Sequence, residues 1–358
     1  MQVISDFIDN HCLTNEAFAV GVSGGADSLA LVLMLKESRP NSRVIALTVD
    51  HGLRPSSADE AQYVSQVMKA HHIEHHTLIW EGEKPVTGIE EQARLARYAL
   101  LIGWCKENKV KYLAIAHHLF DQAETFLMRL QRGSGLFGLS AIQEVSVKNG
   151  ITILRPLLHT HPQVMKDYLK ERHIDWVEDE SNQCEDFLRV KMRKFLPQLA
   201  DMGITAERIG EAVTNLQRTR EFITDTVQQL IDEHIAFYQG LGCAIDFALF
   251  VRWHKELKFY VLSKLLADIG GLNYVPEATA LLNLIDKMQE KGFSAATLGG
   301  VYIEHLGLKL WFVKEYREDM PFDGLQWDEF VKHNPIYNGI KVPHKLKIAA
   351  LQENNSEK

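Results

Sequence analysis

The chain has 358 residues, 46% of them hydrophobic and 24% charged, and a formal net charge of -8. It is too long for a single core at roughly 100–200 residues per domain, and too apolar for a disordered chain. An acidic balance of this size leaves any contact with a phosphate backbone to local basic stretches.

The first half alternates short apolar runs with amphipathic stretches. Residues 18–22 (FAVGV) predict a buried strand and 28–36 a helix apolar on most faces; 44–49 (VIALTV) predict a second strand, 57–70 a helix and 76–80 a third strand. A long helix follows over 90–107, then a strand over 112–116, a helix over 121–132 and a strand over 151–154 that stops before Pro156. This alternation implies an α/β domain with a Rossmann-like parallel sheet, helices on both faces and right-handed crossovers. From 187 the pattern turns helical: 206–238 predict one long helix or two, and 255–268 and 277–290 two more. Residues 295–314 predict a short hairpin turning at Gly307, and the polar end, 352–358, predicts disorder. The expected organisation is a first domain over 1–205, a linker helix over 206–240, a small, mainly helical α/β domain with the hairpin over 241–318, and an irregular tail over 319–358.

The four cysteines, Cys12, Cys105, Cys184 and Cys243, form no C-x-x-C pair, so there is no sequence signal for a zinc ribbon, a cluster cradle or a redox dithiol. The first ten residues lack the basic and apolar regions of a secretory signal, and no run approaches ~18 apolar residues. No membrane partner is therefore expected, and the cytoplasm is the default compartment.

Ser23, Gly24, Gly25, Ala26, Asp27 and Ser28 leave the first strand and open the first helix. Two adjacent glycines let the backbone turn tightly and leave its N–H groups bare, and a helix N-terminus behind them completes an anion site. Ser23 and Ser28 add hydroxyls, and Asp27 stands where a magnesium-bound phosphate would lie. The loop has no lysine and does not fit G-x-x-x-x-G-K-[ST]. Residues 21–25 also fit G-x-S-x-G, the nucleophile elbow of serine hydrolases, with Ser23 as nucleophile. That elbow follows several strands, and only 22 residues precede Ser23.

Ligands of open parallel sheets bind beyond the carboxyl ends of the strands. After the second strand stand Asp50, His51 and Arg54; after the fourth stand His117, His118, Asp121 and Glu124. Asp121 and Glu124 share one face at the positive end of a helix, where two carboxylates suit magnesium or an ammonium group; the bland alternative is a capping pair. Arg94, Arg97 and Tyr98 share a face of the long helix, for structural pairing or for contact with nucleotide or RNA. Residues 187–196 (FLRVKMRKFL) carry Arg189, Lys191, Arg193 and Lys194 without an acid, a candidate RNA contact with Arg129 and Arg132, or else a solvated helix face.

The pattern S-G-G-x-D-S resembles the pyrophosphate-binding loop of the N-type ATP pyrophosphatases, the PP-loop superfamily. With VDHGLR (49–54), ARLARY (93–98), AHHLFDQAET (116–125), RGSGLFGL (132–139), RPLL (155–158) and WVEDESN (176–182) in order, the chain resembles the tRNA(Ile)-lysidine synthetase family. The match is weaker in the second domain, where ATLGGVYI (296–303) carries it. Two positions depart from the family pattern: Phe120 replaces a usual acid, and Val190 a usual asparagine after Arg189.

The resemblance implies ATP as substrate, Mg2+, L-lysine and an isoleucine tRNA with a CAU anticodon. ATP would adenylate the 2-carbonyl oxygen of the wobble cytidine, releasing pyrophosphate; the lysine ε-amine would then attack that carbon and release AMP. That amine is ordinarily protonated, with a pKa near ~10.4, so a base or desolvation is needed, and His117, His118 and Asp121 are the candidates. Relatives that form amides on small molecules, and a non-catalytic RNA-binding relative, are the other readings of the same fold. Oligomeric state is not written in the sequence.

Overall fold

The computed structural model describes residues 2–11, 13, 16–53, 57–82, 84, 88–178, 188–238, 242–271, 276–315, 324–337, 339–347 and 350. They form two compact units, Met1–Arg220 and Glu221–Lys358, and the division falls inside the helix predicted as a linker. The predicted disorder over 352–358 lies outside the described residues.

In the first unit the elements run α1 (Gln2–Asn10), β1 (Phe18–Gly21), α2 (Ala26–Ser38), β2 (Val44–Asp50), α3 (Ser57–Ala70), β3 (Glu74–Ile79), α4 (Ile89–Glu107), β4 (Tyr112–Ala114), α5 (Leu119–Gln131), α6 (Leu136–Leu139), β5 (Val145–Lys148), β6 (Ile151–Leu154), α7 (Pro162–Glu171), α8 (Leu188–Asp201) and α9 (Ala206–His234). The sheet order is β3-β2-β1-β4-β6-β5. All neighbours are parallel except β5, which pairs antiparallel with β6 across a two-residue turn at Asn149 and Gly150. Both turn residues have positive φ, +50° and +79°, as a type I′ hairpin turn requires.

Strand alternation sorts the core. Phe18, Val20, Val44 and Ala46 face one layer, where they meet Ile4, Phe7 and Ile8 of α1, the apolar body of α2, Val64 and Met68 of α3, and Met165 and Leu169 of α7. Ala19, Ile45, Leu47, Leu113 and Ile153 face the other, against Tyr98, Leu101, Ile102 and Cys105 of α4. Because α2 is covered on nearly every side, its residues read as a continuous apolar run rather than a stripe. A third cluster joins Leu119 and Ala123 of α5 to Leu196 of α8 and to Ala206, Ile209 and Val213 of α9.

This topology fixes where the site must be. From β1 the chain passes to β2 and β3 on one side and then returns to β4 on the other, so the direction of winding reverses between β1 and β4. The crevice beyond their carboxyl ends is the topological switch point of an open parallel sheet. The loop of residues 23–28 leaves β1, and His117 and His118 leave β4, so both flank it.

The second unit contains β7 (Ile235–Tyr238), β8 (Gly242–Asp246), α10 (Phe247–Arg252), α11 (Lys255–Gly270), α12 (Ala278–Met288), β9 (Ala295–Leu298), β10 (Val301–Leu306), β11 (Lys309–Lys314) and α13 (Gly324–His333). The predicted hairpin is the β10–β11 pair, extended by further antiparallel strands to the order β7-β8-β11-β10-β9. One sheet face packs on α11 and α12 through Leu262, Leu266, Leu281 and Ile285. The segment predicted as an irregular tail is ordered where described: Trp327 and Phe330 of α13, with Tyr337, Val342 and Leu346, cover Trp311 and Val313 on the other face. That face would otherwise leave the indole of Trp311 in water. Among the described residues, no helix is long and apolar enough to cross a membrane.

Candidate active site

The loop is held by its own serines. The Ser23 N–H donates to Ser28 Oγ at 3.1 Å, and the Ser28 hydroxyl donates to the Gly25 carbonyl at 3.0 Å. Gly24 has φ +88°, and its carbonyl accepts the Val177 N–H at 3.0 Å. A Cβ at Gly24 would lie 3.3 Å from Val64 Cγ2 and 3.4 Å from Val177 Cγ2. The position disfavours any side chain by conformation, and the valines leave little space. Gly24→Val is expected to destabilise the fold by about 2 kcal/mol and to remove the loop's function, measurable as a lower urea midpoint together with lost ATP-dependent turnover. Gly25 caps α2 without a side-chain bond, so no capping side chain occupies the helix N-terminus.

Ser23 Oγ lies 3.3 Å from Ser28 Oγ. A hydrolase elbow would place an imidazole against that oxygen. Among the described residues the contact is the second serine instead.

Asp27 faces the crevice. Its Oδ2 lies 3.6 Å from His118 Nε2, and its Oδ1 is buried without a hydrogen-bond partner among the described residues. Burial raises the Asp27 carboxyl above its ordinary value and nearby Asp121 adds to this, while His118, Lys166 of α7 and Arg193 of α8 pull it back. Lys166, which no local motif marks, thus contributes positive charge to a loop that has no lysine of its own.

His118 is the N-cap of α5. Its Nδ1 accepts the N–H groups of Phe120 at 3.2 Å and Asp121 at 3.3 Å, and Asp121 Oδ2 accepts the His118 N–H at 3.0 Å, a reciprocal capping box. His117 turns the other way: its Nδ1 accepts from Arg155 Nε at 3.2 Å. Both imidazoles, expected with Asp121 as candidate bases, therefore have Nδ1 occupied.

The carboxylates read as a metal pair are engaged with cations. Glu124 is fully buried; its Oε2 accepts from Arg189 Nε at 2.8 Å and its Oε1 from Arg193 Nε at 2.6 Å. Arg189 Nη2 also donates to Asp121 Oδ1 at 3.1 Å. Burial pushes the Asp121 carboxyl up, but His118, Arg189 and His117 together hold it below the usual range. Arg193 is disfavoured by burial yet raised in pKa by Glu124. Among the described residues, no group of three or more His, Cys, Asp and Glu side chains has metal-binding geometry. Asp121 and Glu124, expected as magnesium ligands, here form an ion network between α5 and α8. Arg189 and Arg193, expected as tRNA contacts, are the cations of this network.

The other expected residues are placed as follows. Asp50 Oδ1 accepts from Ser57 Oγ at 2.7 Å and Gly52 N at 3.0 Å, which hold its carboxyl below the ordinary value; His51 Nδ1 accepts the Leu53 N–H at 3.1 Å. Arg54 lies outside the described residues, as does most of the 176–182 segment beyond Glu178. Lys191 and Lys194 are exposed on α8, Arg132 is exposed at the end of α5, and Arg129 donates to the Gly138 carbonyl at 3.3 Å. Phe120 packs into the α5–α8–α9 cluster with its ring edge-on to His161 at 4.9 Å, and Val190 is buried. Neither departure from the family pattern leaves a gap.

Comparison with known proteins agrees with this architecture. The family model of the PP-loop domain matches residues 2–199. The chain is 35% identical over 324 residues to a tRNA(Ile)-lysidine synthase of Ruegeria pomeroyi, covering 88% of this chain and 76% of that protein. It is 32% identical over 325 residues to one of a Bradyrhizobium species, covering 84% and 89%. Among solved structures, the U34-tRNA thiolase NcsA of Methanococcus maripaludis aligns with TM-score 0.52 at 20% identity over 62% of this chain and 77% of that one. That likeness concerns the fold alone.

Proposed function

Since the chain belongs to the tRNA(Ile)-lysidine synthase family of PP-loop proteins, we propose that it uses ATP to join L-lysine to the 2-carbon of the wobble cytidine in an isoleucine tRNA with a CAU anticodon. The observation that carries this reading for these residues is the meeting, at the switch point, of a bare-amide loop with an aspartate oxygen buried without a partner. An unpaired buried carboxylate oxygen is unfavourable unless a ligand completes it. Asp27 Oδ1 fits a magnesium ion that takes its other ligands from phosphate and water. When bound, magnesium neutralises charge on the phosphate oxygens.

The roles of the chain's own groups follow from their bonding. The amides of residues 24–28, with the α2 N-terminus, hold the departing diphosphate as its charge develops. The cytidine O2 attacks the α-phosphorus, the bond to the β-phosphate oxygen breaks, and pyrophosphate leaves. The lysine ε-nitrogen, once its ammonium has given a proton to solvent water, forms a bond to C2 while the C2–oxygen bond breaks; AMP leaves with that oxygen, and the second proton shed by the nitrogen also passes to water. Asp121, held ionised by Arg189 and His118, suits the ammonium form of the incoming lysine as a counter-charge rather than as a base. Exposed Lys191, Lys194 and Arg132 supply positive charge for an RNA backbone.

Pyrophosphate release tests this directly. It is expected to require ATP, magnesium and the CAU-anticodon tRNA together. Release with a small amide donor in place of RNA would instead assign the chain to amide formation, and RNA binding with no release would assign it to a non-catalytic role.

A further inference from the structure

His117 and Arg155 lie 38 positions apart, and the fold brings them together because β4 and β6 are parallel neighbours. Arg155 is buried beside Tyr98, and each bond of its guanidinium is a donation. Nε gives to His117 Nδ1 at 3.2 Å, and Nη1 gives to the Gln143 carbonyl at 2.6 Å and to Ser146 Oγ at 3.0 Å. A guanidinium has no lone pair to offer and does not lose its proton in proteins. The nitrogen that receives its N–H must therefore be bare.

An imidazole with a bare Nδ1 is neutral and carries its one proton on Nε2. Among the described residues the ring of His117 has this one side-chain hydrogen bond, which leaves the Nε2–H for a ligand. His117 stands three positions past the end of β4, and β4 runs parallel to β1, so it lies past the same end of the sheet as the loop of residues 23–28. The charged groups that act on the ring are Asp121 from α5, Arg155 after β6, Arg189 from α8 and Arg94 from α4. Three of the four are cations and oppose a second proton. Burial acts first in the same direction, and the ring ionises only at about 4.

We propose that Arg155 is a positioning residue that locks His117 in the neutral Nε2–H form, so that His117 donates a hydrogen bond to a substrate oxygen during adenylation and does not take the proton of lysine. This rests on the adenylating function proposed above. A donor that is fixed before the reaction needs no reorganisation when negative charge develops on the oxygen it faces. A neutral donor also retains no extra proton to be shed at working pH, whereas an ordinary histidine near 6.5 would change charge there.

The experiment is side-chain nitrogen NMR of the full chain labelled with 15N-histidine, with His117 assigned by its loss in His117→Asn, alongside turnover measured from pH 5.5 to 8.5. The wild type is expected to show a bare Nδ1 and a protonated Nε2 throughout that range. Arg155→Gln keeps a side-chain N–H donor and is expected to keep that pattern and most of the rate. Arg155→Met is expected to mix the two tautomers, to bring His117 titration into the measured range, and to lower kcat by about tenfold or more, with the loss deepening toward acid pH. A merely structural arginine would lower stability in both variants and leave the His117 pattern of the folded protein unchanged, which would overturn the proposal. So would a wild-type His117 protonated on Nδ1. The NMR result does not depend on the substrate. If the tautomer is as stated but turnover needs no RNA, the proposed function fails and the positioning role stands.

Discussion

Asp27→Asn is expected to slow pyrophosphate release by on the order of a hundredfold or more while leaving the urea unfolding midpoint at pH 7 unchanged or slightly raised. The two halves of this expectation have one cause. Asp27 Oδ1 is buried with no described partner, and Oδ2 stands 3.6 Å from the nearest imidazole nitrogen, beyond a hydrogen bond. Burial, reinforced by Asp121, raises its folded-state pKa above the unfolded value despite His118, Lys166 and Arg193. The native state therefore binds this proton more readily than the unfolded chain. Its contribution to stability falls as pH rises through that window, and the unfavourable term is fully present above the folded pKa. Asparagine keeps the shape and removes the charge, so the difference in midpoint between the two proteins should shrink in acid. Full activity in the Asp27→Asn variant would remove Asp27 from the chemistry. A large loss of stability at pH 7 would show the carboxylate to be a structural partner instead.

Removing both Arg189 and Arg193 is expected to destabilise the first unit far more than either removal alone. Glu124 has no exposed surface, and each of its oxygens is served by one guanidinium. Loss of one arginine leaves the charge compensated by the other, at about 1 kcal/mol. Loss of both strands an ionised carboxylate in the interior, which costs about 3–5 kcal/mol and exceeds the sum of the singles. Adding Glu124→Gln to the double variant should restore part of the loss, because the stranded charge is then gone. Denaturation in urea across the five proteins reads all of this. If the singles simply add and the double variant unfolds near the wild-type midpoint, Arg189 and Arg193 are surface cations like the exposed lysines of α8.

These two cases show what was legible in the sequence and what was not. The loop at 23–28 was readable because its chemistry is local: strand, paired glycines, serines and helix start lie within one window. The parallel direction of the strands was implied by the alternation of apolar runs and helices, since parallel strands need crossovers, but their order was not. The antiparallel β5 was overlooked, although VSVK-NG-ITIL has the Asn-Gly signature of a two-residue hairpin. Helix α1 hides in a segment read only for signal character, although Ile4, Phe7 and Ile8 have the spacing of one helical face. The ordered part of the tail carries its aromatic residues at 327, 330 and 337, yet their partner is a sheet face whose existence depends on β8 and β11 pairing. The assignments that changed most, Glu124 with Arg189 and Arg193 and His117 with Arg155, join residues 65, 69 and 38 positions apart. A run of cations without acids looks solvent-facing in one dimension; only the packing of α8 on α5 reveals its counter-charges.

The central claim is that bare amides at the β1–α2 turn hold a departing diphosphate while a nucleobase oxygen receives AMP and a lysine then displaces it. Nucleoside analysis of CAU-anticodon tRNA after incubation with the protein, ATP, magnesium and labelled lysine reads the outcome without an intermediate assay. Label in a single modified cytidine at the wobble position, lost in the Asp27 and Gly24 variants, is the expected result; unlabelled tRNA from a protein that still releases pyrophosphate would contradict it.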